Sequence, residues 1–166
     1  MTTLFKGLAP IKPKNAQVLI LGSMASPKSL EFNQYYGHPQ NLFWKIIFEV
    51  FGTPYNGNYK EKLAHLIRNK IALWDTLAAC QRKGAADSTI KDVKLNDIPD
   101  LLKQRPTIEK IVCNGKASAK HYTQNFGSLI DLPMQCLPST SPANAAIPYK
   151  TKLKEWKTAL IPSSSA

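Results

Sequence analysis

The chain has 166 residues, of which 43% are hydrophobic, and a formal charge of +11. This composition excludes a disordered chain, and the length suits one domain with a substantial core, expected over 1–162 with a disordered tail at 163–166. The basic excess fits a polyanionic partner, since each neutralised phosphate releases condensed counterions, although a basic surface without such a partner carries the same signature.

Cys80, Cys113 and Cys136 are too few and too scattered for a disulfide framework or a CxxC metal site. They read as reduced thiols of a cytoplasmic protein, nucleoid-associated if the source is bacterial. No segment reaches membrane-spanning length, and the N-terminus lacks the apolar core of a signal peptide.

In chain order, residues 1–16 are expected to cross the core ahead of the first strand. Val18-Leu19-Ile20-Leu21 is a short apolar run closed by Gly22, the pattern of a buried strand in a parallel sheet. A long loop follows, and from Asn41 the apolar residues Leu42, Phe43, Ile46, Ile47, Val50 and Phe51 fall on one helical face that ends at Gly52. Asn41 sits at or next to the N-cap. A helix is expected from Tyr59 to Asn69, then a strand over Ile71–Trp74 with Asp75 at its end. The segment after it, TLAACQRKGAADSTI, reads as a helical turn followed by a polar surface loop from Gly84 to Ser88. Asn96 can cap a helix to Gln104, stopped by Arg105-Pro106. Lys110–Asn114 is a strand closed by Gly115, and Lys116–Phe126 a helix. Met134–Leu137 is the fourth strand, and a helix from near Pro148 carries Leu153, Trp156 and Leu160 on one stripe with Lys150, Lys152, Lys154 and Lys157 exposed. Strands alternating with helices predict an α/β fold with a mainly parallel, four-stranded sheet.

The loop after the first strand is the most informative stretch. GSMASPKSLEFNQYYGHPQNLFW holds two adjacent tyrosines, Gly-His-Pro, an asparagine and Phe-Trp, the materials of a pocket for a flat heterocycle. Ligands of open α/β sheets bind beyond the carboxyl ends of the strands, where this loop lies. The order GSM…SL…QYYGHP…N…FW resembles the first motif of the hypoxanthine-DNA glycosylase branch of the uracil-DNA glycosylase superfamily. WDTLAAC…R.G..DS.I and the later STSPANAA also resemble that family, so the likeness runs over roughly residues 17–160. The resemblance implies a three-layer α/β/α sandwich and hydrolysis of the bond between a damaged base and its sugar, with no cofactor and no metal. The implied partner is damaged DNA, double- or single-stranded, acted on by a monomer.

The resemblance also assigns roles. Many superfamily members position water with an aspartate or asparagine just after the first strand; this chain reads Gly22-Ser23-Met24-Ala25-Ser26 there, and the role passes to Asn41. His38 and Asp87 are further candidates for the chemistry, each also readable as a structural or solvated residue. Gly22, Ser23, Met24, Tyr36, Phe43 and Asn114 are expected around the base, with Tyr36, Phe43 or Trp44 able to stack on it. Ser139, Thr140, Ser141, Pro142, Ala143, Asn144 and Lys116 are expected against DNA, because short hydroxyl side chains let phosphate approach and prolines stiffen the loop. Three readings stay open: a glycosylase for hypoxanthine, one for uracil or mismatched thymine, and a non-catalytic DNA-binding module on the same fold.

Overall fold

The computed structural model describes residues 3–83 and 87–161; the expected tail lies outside them. In chain order the elements are β1 (Thr3–Lys6), β2 (Val18–Gly22), α1 (Pro27–Phe32), α2 (Phe43–Val50), α3 (Tyr59–Arg68), β3 (Ile71–Asp75), β4 (Leu77–Arg82), β5 (Lys91–Leu95), α4 (Ile98–Gln104), β6 (Lys110–Asn114), α5 (Lys116–Phe126), β7 (Met134–Leu137) and α6 (Tyr149–Leu160).

The apolar runs pair into a four-stranded sheet of order β3-β2-β6-β7, parallel throughout. Side chains alternate across it. Ile20, Leu73 and Val112 pack on one side against α2 and α6 through Phe43, Ile46, Ile47 and Trp156. Leu19, Leu21, Ile111 and Cys113 pack on the other against α4 and α5 through Ile98, Leu101, Tyr122 and Phe126. Both faces are covered, as a parallel sheet of Val, Ile and Leu requires, which gives the three-layer α/β/α sandwich. The strand order reverses between β2 and β6, and the crevice at their carboxyl ends is the ligand position of such sheets.

Several expectations change. The segment after Asp75 is a strand, β4, not a helical turn. Its alanines favour helix locally, but β1 pairs with it antiparallel from Thr3↔Arg82 to Lys6↔Ala79, and β5 flanks its other edge, making a second, three-stranded sheet. Residues 1–16 thus supply a strand of their own. Inside the long loop, Pro27–Phe32 forms α1, capped by Ser26, whose Oγ accepts from the Ser29 N–H at 3.2 Å, and closed by Asn33 at φ 53°. Asp97, not Asn96, caps α4; the Asn96 side chain instead donates to the Asp75 and Leu77 carbonyls at 2.8 and 3.3 Å. Lys152 leaves the exposed lysine face: it lies one turn from buried Trp156, is 1% exposed, and has its ammonium pKa lowered by burial.

His65 is wholly buried, stacked on Phe48 with centroids 4.2 Å apart, with a ring nitrogen 3.2 Å from the Ile47 carbonyl. Burial chiefly, and then the Arg68 charge, lowers its pKa from the ordinary 6.5, while the bond to Ile47 opposes them. The unfolded chain therefore binds the proton more tightly, and stability present above pH 6.5 is lost as pH falls through the lower folded value. The urea midpoint should drop on acidification below that pH in the wild type, and a His65→Gln variant should lose that part of the slope.

Candidate active site

Gly22 closes β2 and pairs in register with Asp75 at the end of β3. A methyl at Gly22 would collide with Asp75 Oδ1 and lie 3.0 Å from Tyr36 Oη. Glycine here leaves room for a carboxylate and a phenol to converge at the mouth of the strand.

The two adjacent tyrosines divide their work. Tyr35 points into the core: its hydroxyl donates to the Ala9 carbonyl at 2.8 Å, and its own carbonyl accepts from Trp44 Nε1 at 2.7 Å. Burial first, then the charge of Asp75, push its phenol far above the ordinary range. Tyr36 adopts φ 53°, the left-handed region, and turns its ring onto Phe43 at a centroid distance of 4.1 Å and 25°. The Gly37 N–H donates to Ser29 Oγ at 2.9 Å, so α1 holds this turn in place.

His38 Nδ1 accepts the Gln40 N–H at 3.1 Å, which in the neutral ring puts the proton on Nε2. The Asn41 N–H donates to the His38 carbonyl at 2.9 Å, and Asn41 Oδ1 accepts the Phe43 N–H at 2.9 Å, one residue ahead of the formal N-cap, Leu42. The asparagine side chain is thereby held at the start of α2, with its amide N–H donors left over from that bond.

The loop after β7 is tied to this helix. Asn114 Nδ2 donates to Thr140 Oγ1 and Asn114 Oδ1 accepts the Thr140 N–H, both at 3.0 Å; the Leu42 N–H donates to the Thr140 carbonyl at 3.0 Å. Gly115, at φ 96°, permits the close passage, since a Cβ there would stand 2.9 Å from that of Ser139. Trp156 Nε1 anchors the loop's root through the Pro138 carbonyl at 3.0 Å. Beyond it, Ser141 caps a short 3-10 turn, Pro142–Asn144, and the Asn144 side chain donates to the Ser139 carbonyl at 3.1 Å.

These elements enclose a cavity of about 360 Å³, within the usual range of small-molecule sites. Of the residues named from sequence, Gly22, Ser23, Met24, Tyr36, His38, Asn41, Asn114 and Ser139 to Ala143 line it. Phe43 does not: it is wholly buried and supports Tyr36 from behind, with Trp44 and Trp156 edge-on to it. Asn114 reaches the wall, but both ends of its amide are engaged by Thr140, so it is not the free edge-reading amide expected. Lys116 and Asn144 border a neighbouring groove instead. Asp87 opens a 3-10 turn, and its side chain lies outside the described residues.

The cavity also holds residues that sequence reading passed over. Asp75, 4% exposed, was legible only as a strand end. Arg82, 1% exposed, donates from Nη2 to the Ala25 carbonyl at 2.7 Å and lies over the Phe5 ring, 4.9 Å from its centroid. Its signal was hidden because it reaches the pocket only through the pairing of β4 with β1. Among the described residues, no group of three or more His, Cys, Asp or Glu side chains could hold a metal ion. Nor is any helix there long and apolar enough to cross a membrane.

A parallel sheet covered on both faces, with a stacking aromatic, a fixed amide and a stiff small-residue loop around a crevice at its strand ends, defines an α/β protein built to hold a flat ring. The sequence profile of the uracil DNA glycosylase superfamily matches residues 10–162, and the chain belongs to that superfamily. It is 38% identical over 117 residues to a hypoxanthine DNA glycosylase of Methanosarcina barkeri, covering 70% of this chain and 74% of that one. It is 33% identical over 153 residues to a hypoxanthine DNA glycosylase of Methanosarcina acetivorans, covering 92% and 95%. The solution NMR structure of an M. acetivorans protein provisionally described as a uracil DNA glycosylase superposes with a TM-score of 0.84 at 32% identity, covering 95% of this chain and 97% of that one.

The tie at Thr140 is open to test. Asn114→Ala removes both side-chain bonds and leaves the buried Thr140 N–H and hydroxyl without them, which should cost about 1–3 kcal/mol for the orphaned groups. Urea unfolding should read that loss, and hydrogen exchange should speed up at the amides of Thr140 and Leu42.

Proposed function

We propose that the chain is a monofunctional DNA glycosylase that hydrolyses the N-glycosidic bond of hypoxanthine in DNA. The observation that carries the reading is the meeting of Tyr36, His38 and Asn41 with the Ser139–Ala143 loop around one cavity. The two relatives described as hypoxanthine DNA glycosylases support the choice of base.

The chemistry follows from what each group can do. The base must leave the stack to be reached, and the exposed Pro142 and Ala143 form a tip small enough to enter the duplex behind it. Tyr36 offers a ring face to the flipped base, an interaction worth about 1–3 kcal/mol. As the bond from C1′ to the base nitrogen breaks, its electron pair goes to the base and the sugar gains oxocarbenium character. Asn41, with its oxygen fixed by the Phe43 N–H, orients a water toward C1′ but cannot take its proton as a carboxylate does. That water's oxygen bonds to C1′, and its proton passes to the solvent or the departing base. His38, with its donor on Nε2, can give a hydrogen bond to the base or to an adjacent phosphate. Rate then comes mainly from positioning and from stabilising the leaving base.

Duplexes carrying inosine, uracil or xanthine, cleaved by alkali at abasic sites, test the reading. Inosine should be cut fastest; cutting none would leave only a binding module, and faster cutting of uracil would change the base. Binding should weaken log-linearly with salt as counterions are released, whereas flat affinity from low to physiological salt would remove DNA as the partner. Asn41→Ser, which keeps a cap-competent side chain, should melt near wild type and still bind DNA. Its single-turnover rate should fall at least about a hundredfold, roughly 2.7 kcal/mol of barrier. A stable Asn41→Ser enzyme at wild-type rate would move the role elsewhere.

A further inference from the structure

A pocket that selects a damaged base needs a group that reads its edge. Asn114, the amide expected there, is engaged at both ends by Thr140. Asp75 is a better-placed candidate. It closes β3 in register with Gly22, lines the cavity, and is 4% exposed. Its backbone is fixed by the Asn96 side chain on its carbonyl at 2.8 Å, and by the next residue, whose N–H donates to the Gly22 carbonyl at 2.8 Å. Its Oδ1 and Tyr36 Oη crowd the same point above Gly22, so the carboxylate stands beside the ring assigned to stacking.

We propose that Asp75 is the base-reading residue, its carboxylate accepting the ring N–H that deamination creates. The inference rests on the glycosylase reading above and extends it to selectivity. Adenine presents a bare N1 lone pair; hypoxanthine presents N1–H beside a carbonyl. A carboxylate offers only acceptors, so it pairs with the second and opposes the first, leaving two buried acceptors face to face. The same holds for cytosine and uracil at N3. A site built around one buried hydrogen bond rejects the analogue lacking the matching group far more strongly than apolar fit can. Guanine also carries N1–H, so Asp75 separates deaminated bases from adenine and cytosine and leaves guanine to another contact. Because the leaving base gathers negative charge, a carboxylate beside it serves recognition rather than rate.

The test compares hypoxanthine with unsubstituted purine, which keeps the N1 lone pair and has no exocyclic group. Single-turnover excision of each from the same DNA duplex gives a selectivity ratio that does not depend on how much protein is folded. Wild type should favour hypoxanthine by at least about a thousandfold. Asp75→Asn, whose amide can present oxygen or nitrogen, should narrow that ratio at least tenfold. Asp75→Ala, which supplies neither, should lose hypoxanthine excision more than purine excision. Equal loss on both bases in either variant, or an unchanged ratio, overturns the assignment. A wild type that excises no hypoxanthine removes the glycosylase reading itself, an outcome visible before any variant is made.

Discussion

Thr140 is the point on which the site depends. Its N–H and hydroxyl are both bonded to Asn114, and its carbonyl takes the first free N–H of α2. One buried residue thus joins the end of β6, the loop after β7 and the start of the helix that carries Asn41. The segments that must face each other across a flipped nucleotide are far apart in sequence, and packing alone would set their spacing loosely. Three hydrogen bonds on a wholly buried residue set it tightly, because breaking any of them strands a polar group away from water.

A second constraint is aromatic. Tyr36 stands in a left-handed conformation that a tyrosine rarely adopts, and its ring is stacked on Phe43. Phe43 in turn meets Trp44 and Trp156 edge-on. The core thereby extends to the pocket wall without a break, and the ring available to a base cannot fold away. Such strain is kept where the surroundings over-determine it, commonly at functional sites.

Much of this was legible in the sequence. The runs at Val18, Ile71, Lys110 and Met134 declare strands because each is short, apolar and closed by a turning residue, and Leu42 to Phe51 declare a helix by period. The first motif marked the pocket by its residue types. What stayed hidden depends on partners distant in the chain. β4 is alanine-rich and takes its form from β1, some seventy residues earlier. Asn114 reads as a turn asparagine until Thr140 is placed beside it. Asp75 reads as the end of a strand until Gly22 and Tyr36 close over it. Phe43 and Tyr36 are equally aromatic on the page, and only the three-dimensional packing says which faces the cavity.

The wall that Arg82 forms has a consequence for how the protein is made. Arg82 is held over Phe5, which belongs to the first strand, while the opposite wall hangs from Pro138 and the indole of Trp156 in the last helix. The pocket is therefore stapled by both ends of the polypeptide. A nascent chain can assemble the sheet up to β6 while its C-terminal part is still inside the ribosome, but it has no closed cavity until α6 emerges. Incomplete chains are thus built without the means to attack DNA, and competence arrives as a single late event of synthesis.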